Sequence, residues 1–274
     1  MNETAPPPLP TVSSAPSGRP SRIPVTGTIR RAWEVMLSRP RQTVLPMAVV
    51  QIPVALATSV VTVVLYLTVF ADEPVLTVNE MVDTAARGQL FAFLVLQAVT
   101  ALFSQVARAA TTVGVANAAA GKAIPLAAAL DPAFTRMGAL LALSVLIASG
   151  AFVLVLTIVG TLLLPFLALK VALSTETLIL EGNGPWGAIR RSWRLTSGNM
   201  LSLLGTLLVT IGLVIGPLLV ISLVAVIVAG DRTEQLLLAG LATFIQTVLL
   251  VPLFVFVTSV VTVFYLQAKE REHA

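Results

Sequence analysis

Long uncharged stretches alternate along this chain with short segments dense in arginine. Thr43 to Ala71 carries no charge and exceeds the ~20 residues a helix needs to cross a hydrocarbon core about 30 Å thick. Gln89 to Ala107 predicts a second span, its helix continuing past Arg108 towards Gly121. Met137 to Leu180 is broken only by Lys170 and Glu176 and would extend roughly 66 Å as one helix, so it predicts two spans folded back on each other. Gly160 and Pro165 bracket the expected turn. Leu195 to Gly230 predicts one tilted helix, bent near Gly216-Pro217. Gln235 to Ala268 predicts a sixth span, which Pro252 can kink. The expected fold class is all-α: a polytopic bundle of six transmembrane helices with short amphipathic cytoplasmic helices.

Between the spans one motif returns. Gly27-Thr28-Ile29-Arg30-Arg31-Ala32-Trp33 recurs as Gly187-Ala188-Ile189-Arg190-Arg191-Ser192-Trp193, each copy leading into an apolar run. On a helix, Ile29, Trp33, Met36 and Leu37 share one face and Arg30, Arg31 and Glu34 another, the pattern of a cationic helix lying at a membrane surface. In the second copy Pro185 suits a first helical position, and Trp186, Ile189 and Trp193 form an apolar stripe beside Arg190, Arg191 and Arg194. Arg30, Arg31, Trp33, Trp186, Arg190, Arg191, Trp193 and Arg194 are the candidate lipid- or partner-binding residues. They can recognise anionic headgroups or an acidic partner, or serve as interfacial anchors alone. A weaker third copy lies at Pro125 to Gly138, where Phe134, Arg136 and Gly138 precede the third span. Three units, each a surface helix followed by two spans, then account for the chain.

Composition agrees with this pattern. The chain is 57% hydrophobic and 11% charged, against about a quarter charged in soluble domains, and reads as an integral membrane protein. Residues 1–24, rich in Pro and Ser, read as a disordered cytoplasmic tail, 25–268 as the six-span membrane domain and 269–274 as a charged cytoplasmic tail. Nothing before Thr43 resembles a secretory signal. With both ends inside, the cytoplasm receives six basic residues in the N-terminal arm, two between Lys122 and Arg136, three between Arg190 and Arg194 and two in the tail, against Arg87 and Arg232 outside. That asymmetry predicts a multi-pass plasma-membrane protein with cytoplasmic termini. It also assigns the basic residues to orientation and anionic lipid rather than to nucleic acid.

Bond-making chemistry is poorly represented. The chain has no cysteine, and its one histidine is His273, which excludes disulfides, thiolate ligation, imidazole clusters and a Ser/His/Asp triad. No catalytic residue, metal ligand or cofactor is expected. The intramembrane polar candidates are Gln97, Ser104, Gln105 and Arg108, part of a stripe that also includes Thr100, Thr111 and Thr112, together with Lys170 and Glu176. Such a stripe lines a solute path or supplies interhelical hydrogen bonds. Arg108 and Glu176 match in depth and are expected to pair, with Gln105 adding a hydrogen bond and Lys170 satisfied separately. Gly212 and Gly216 have the spacing of a close helix contact.

The string Leu180-Glu181-Gly182-Asn183-Gly184-Pro185-Trp186-Gly187-Ala188-Ile189-Arg190-Arg191-Ser192-Trp193-Arg194-Leu195-Thr196-Ser197-Gly198 resembles a signature of the glycerophosphoryl diester phosphodiesterase membrane-domain family. The basic arm before the first span and the Tyr265 to Arg271 exit are also similar, so the likeness covers nearly everything after the tail, with its specific part at Glu181 to Gly198. In some members this module precedes a phosphodiesterase barrel that uses histidines and acidic metal ligands, and one histidine cannot supply that site. The resemblance therefore implies a membrane module without diester hydrolysis, and carries over no catalytic residue. The resulting expectation is a non-enzymatic module of envelope or lipid processes, acting through anionic-lipid or partner contacts. The alternative is a transporter or permease-like subunit built on the polar stripe.

Overall fold

The computed structural model describes residues 23–69, 84–228 and 234–272, and these are all-helical. The acidic loop 72–83, Arg232, His273 and most of the N-terminal tail lie outside them. Among the described residues four stretches are long and apolar enough to cross a membrane: Leu94–Ala119, Met137–Val155, Val159–Glu181 and Phe244–Glu272. A fifth arises if the pair Pro185–Ser197 and Met200–Gly216, bent by 98°, is counted as one, and Leu45–Val61 adds a shorter apolar helix.

The elements fall into three units. In the first, α1 (Val25–Ser38) and the single turn α2 (Pro40–Thr43) precede α3 (Leu45–Val69) and α4 (Thr84–Ala119). In the second, α5 (Leu126–Thr135) precedes α6 (Met137–Val155), α7 (Ile158–Val171) and α8 (Ser174–Glu181). In the third, α9 (Pro185–Ser197) precedes α10 (Met200–Val228) and α11 (Glu234–Glu272). The short helices α1, α5 and α9 start after an extended residue, Pro24, Pro125 and Gly184. Counting from that residue, the fourth and eighth positions are Thr28 and Ala32, Ala129 and Ala133, and Ala188 and Ser192, all buried and all small. The ninth is Trp33, Phe134 or Trp193, each exposed. The third copy in α5, faint in the sequence, is thus the same element. Its surface differs, because Asp131 and Pro132 stand where α1 and α9 have two arginines.

Small residues one turn apart let a helix axis approach its neighbour closely. Each short helix uses them to pack most extensively on the second long element of the unit before it: α5 on α4, α9 on α7 and α8, and α1 on α11. The last contact closes the three units into a ring. There the Thr28 hydroxyl donates to Gln267 Oε1 at 2.8 Å, and Ile23, ahead of α1, is buried with Leu173, Leu203 and Phe264.

Two expected turns move. The α6–α7 hairpin reverses at Leu156-Thr157, not between Gly160 and Pro165, and Pro165 lies inside α7. Thr157 fixes the reversal by accepting from the Gly160 N–H at 3.0 Å, and a Cβ at Gly160 would come within 2.1 Å of the Leu154 carbonyl. The run from Leu195 is not one helix. Leu195 to Ser197 end α9, the chain turns at Gly198-Asn199, and α10 continues unbroken past Gly216-Pro217. Gly212 and Gly216 face open space within this chain. A close contact made by glycine occurs instead at Gly114, where a Cβ would lie 1.9 Å from the Gln42 carbonyl oxygen.

Between α7 and α8 the helix breaks at Ala172-Leu173, and α9 repairs it. The buried Ser192 hydroxyl accepts from the Leu173 N–H at 3.2 Å and donates to the Lys170 carbonyl at 2.6 Å. Thr177 donates to the Ala188 carbonyl at 3.0 Å. Arginines cap two helix ends: Arg39 donates to the Gly121 carbonyl at 3.0 Å, and Arg136 to those of Leu178 at 2.7 Å and Ile179 at 3.2 Å. Both caps adjoin a glycine with positive φ, Gly121 and Gly182, where a side chain would be strained. Ser192→Ala leaves two buried backbone groups without their partner and is expected to destabilise by about 1–3 kcal/mol. Ser149→Ala, at an exposed site, is expected to stay within about 0.5 kcal/mol. Unfolding in detergent measures both.

Candidate functional site: a cationic surface and an intramembrane ion pair

The two cationic helices seat differently from their expected faces. Met36 is buried beside Ala32, whereas Trp33 (49% exposed) and Leu37 point outward. The small residues, not the large apolar ones, mark the packed face, because close approach excludes bulky side chains. Trp33 lies at the rim, its ring edge-on to Phe256 with centroids 5.5 Å apart. Trp186 and Trp193 are likewise exposed on α9.

The arginines separate into three situations. Arg30 pairs with Glu34 one turn along α1 at 2.7 Å, on an exposed face where such a pair is worth a few tenths of a kcal/mol. Arg31, Arg190 and Arg194 are exposed and make no hydrogen bond or ion pair within the protein among the described residues. Arg191, grouped with them from the sequence, turns inward instead. Its Nε meets Glu181 at 3.1 Å, and its Nη1 donates to Glu272 at 2.6 Å. These carboxylates, Glu272 foremost, raise its pKa above the ordinary arginine value. Glu181 also accepts from the Tyr265 hydroxyl at 2.8 Å and lies 3.4 Å from the Lys269 ammonium. This clasp joins the end of α8 to α9 and α11. Sequence reasoning missed it because Glu181 and Arg191 meet Tyr265, Lys269 and Glu272 across more than 70 residues of chain; the one signal was the charged run at the end of α11.

Inside the bundle, Arg108 of α4 meets Glu176 of α8, Nη2 to Oε1 at 3.5 Å. Glu176 is fully buried and the Arg108 side chain is 33% exposed. Gln105 makes no hydrogen bond to the pair among the described residues; it is half-buried and one residue off the Arg108–Thr112 row. Lys170 lies apart from them. Its ammonium donates to the Ser197 hydroxyl at 2.9 Å, with the Phe166 and Trp193 rings 5.7 and 5.9 Å away. That places it at the C-terminal end of α9, where the helix dipole favours a cation.

The polar stripe of α4 is largely occupied by neighbouring helices. Ser104 accepts from Gln51 at 2.8 Å, Thr100 meets Thr58 at 3.2 Å, and Thr111 bonds back to the Ala107 carbonyl. Gln97 is exposed. Beside the stripe, α3, α4 and α5 border an open cavity of about 470 Å³ whose walls, including Val49, Pro53, Val99, Phe103 and Phe134, are apolar apart from Thr58. No cluster of acidic or histidine side chains suited to a metal occurs among the described residues.

With this geometry the chain has the make-up of a multi-helix membrane protein whose polar groups serve packing and a charged surface. Compared with protein-family models, with curated proteins and with solved structures, it matches none.

Truncating one member of a buried ion pair strands the other, at a cost of about 3–5 kcal/mol. Arg108→Leu and Glu176→Leu are each expected to lower thermal stability in detergent at neutral pH, and the double variant to recover part of the loss. Simple additivity of the two losses would show that the groups do not interact.

Proposed function

We propose that this chain is a non-enzymatic six-span module of the plasma membrane that binds anionic lipid through α1 and α9. The spans are α3, α4, α6, the α7–α8 pair, α10 and α11, with the three short helices and both termini on the cytoplasmic side. The single observation that carries the reading is the trio Arg31, Arg190 and Arg194: exposed guanidinium groups without a partner among the described residues, on helices that also expose Trp33, Trp186 and Trp193. Tryptophan favours the headgroup level, and arginine there meets lipid phosphate. The resemblance to the glycerophosphoryl diester phosphodiesterase membrane domain supports a membrane module and supplies no catalytic group. The runner-up, a transporter subunit built on the α4 stripe, is disfavoured by the Gln51–Ser104 and Thr58–Thr100 bonds and by the apolar walls of the neighbouring cavity.

Each basic residue near an anionic surface contributes about 1 kcal/mol. The triple change Arg31→Gln, Arg190→Gln and Arg194→Gln is therefore expected to strip most anionic phospholipid from the purified protein, read by native mass spectrometry, without lowering its thermal stability. Arg191→Gln is expected to do the reverse, lowering stability through the clasp while keeping the lipid. Full lipid retention in the triple variant would reduce α1 and α9 to anchors.

A further inference from the structure

Among the described residues, Glu176 Oε2 of α8, Arg108 Nε and Thr112 Oγ1 of α4 and Thr262 Oγ1 of α11 are buried without a hydrogen-bond partner. Glu176, Thr112 and Thr262 have no exposed surface. Arg108 and Thr112 stand one turn apart on the strip of α4 between two packed faces. One face, Val106, Ala109, Ala110 and Val113, meets Leu178 and Ile179 of α8. The other, Ala107 and Val115, packs with Val255, Val260 and Val263 of α11. Thr262 of α11 precedes Tyr265 by one turn.

A fully buried carboxylate needs donors on both oxygens. Here one oxygen has none, and the other has a single long contact of 3.5 Å, well beyond the 2.7–2.9 Å common for charge-assisted bonds. Protonation relieves that shortfall, because a neutral carboxyl costs far less to bury than a carboxylate short of donors. Access comes from the other side of the pair. A guanidinium that is one-third exposed cannot rest in hydrocarbon without a large penalty, so that side of Arg108 must face water or headgroups.

We propose that Glu176 is a proton-exchanging carboxyl: it takes a proton from water reaching Arg108 and returns it the same way. Uptake converts carboxylate and hydronium to carboxylic acid and water, and leaves Arg108 charged at its water-facing side. The other charged groups around α8 are already engaged among the described residues: Arg136 with the Leu178 and Ile179 carbonyls, and Glu181 with Arg191, Tyr265 and Lys269. From α4 Glu176 meets Arg108; α6 has no ionisable residue, Arg191 of α9 is held by Glu181 and Glu272, and Lys170 of α7 by Ser197. The proton site stands apart from the lipid-binding arginines, and neither depends on the other.

Infrared spectroscopy of the full chain in anionic lipid vesicles, titrated in H2O and D2O, tests this. The expected result is a protonated-carboxyl C=O band that grows as pH falls, shifts to lower frequency in D2O, disappears in Glu176→Gln and moves in Glu176→Asp. Glu176→Asp keeps a carboxyl, so the assignment survives if the glutamine variant fails to fold. A wild-type spectrum with no such band over the range in which the protein stays folded would overturn the proposal. So would a band that is indifferent to D2O, or one unchanged in both variants.

Discussion

Close seating of three short helices, through pairs of small side chains one turn apart, is the contact on which the other packing depends. Thr28 with Ala32, Ala129 with Ala133 and Ala188 with Ser192 leave no room between helix surfaces. Long elements rich in Leu, Val and Ile gain little from burying apolar surface against one another when lipid is equally apolar. Small-residue contacts therefore set the order of the units. Because each short helix docks on the preceding unit and α1 docks on α11, the first unit and the last are held together although they lie at opposite ends of the sequence.

The same seating brings polar groups to places where backbone would otherwise be stranded. In a hydrocarbon environment a break in a helix needs partners from within the protein. The break between α7 and α8 receives them from Ser192, at one of the two close-packed positions of α9. Arg39 and Arg136 satisfy carbonyls near the ends of α4 and α8. Arg191 is consumed by the clasp around Glu181. Arg31, Arg190 and Arg194, like Arg41, Lys122 and Arg271, make no side-chain hydrogen bond or ion pair among the described residues; the lipid reading rests on the first three because they share α1 and α9 with exposed tryptophans.

The apolar helices were legible because hydrocarbon thickness imposes a minimum length on apolar runs, although four or five of them, against an expected six, are long enough to cross among the described residues; the helical repeat was legible because Ile-Arg-Arg-x-Trp is rare enough to notice. The Arg108–Glu176 contact could be reached from depth alone, since few charges lie within the long apolar stretches. Rotation could not. An almost uniformly apolar helix has no polar side to mark its outward face, and in α1 the packed face was marked by Thr28 and Ala32 rather than by Trp33. The sharp bend at Gly198-Asn199 was invisible because Leu195 to Gly230 is uncharged throughout. The clasp was hidden by separation along the chain, as Arg191 and Glu272 lie 81 residues apart.

Closure of the ring by α1 on α11 is the central structural claim, and the absence of cysteine makes it directly measurable. Thr28→Cys combined with Gln267→Cys places thiols where the two side chains now share a hydrogen bond. Treatment of native membranes with a short bifunctional thiol reagent should cross-link this pair nearly completely. Ala129→Cys with Gln267→Cys, which places the first thiol on α5 instead, should remain uncross-linked. Absence of the first cross-link in folded protein, or equal yields from both pairs, would contradict the closed three-unit arrangement.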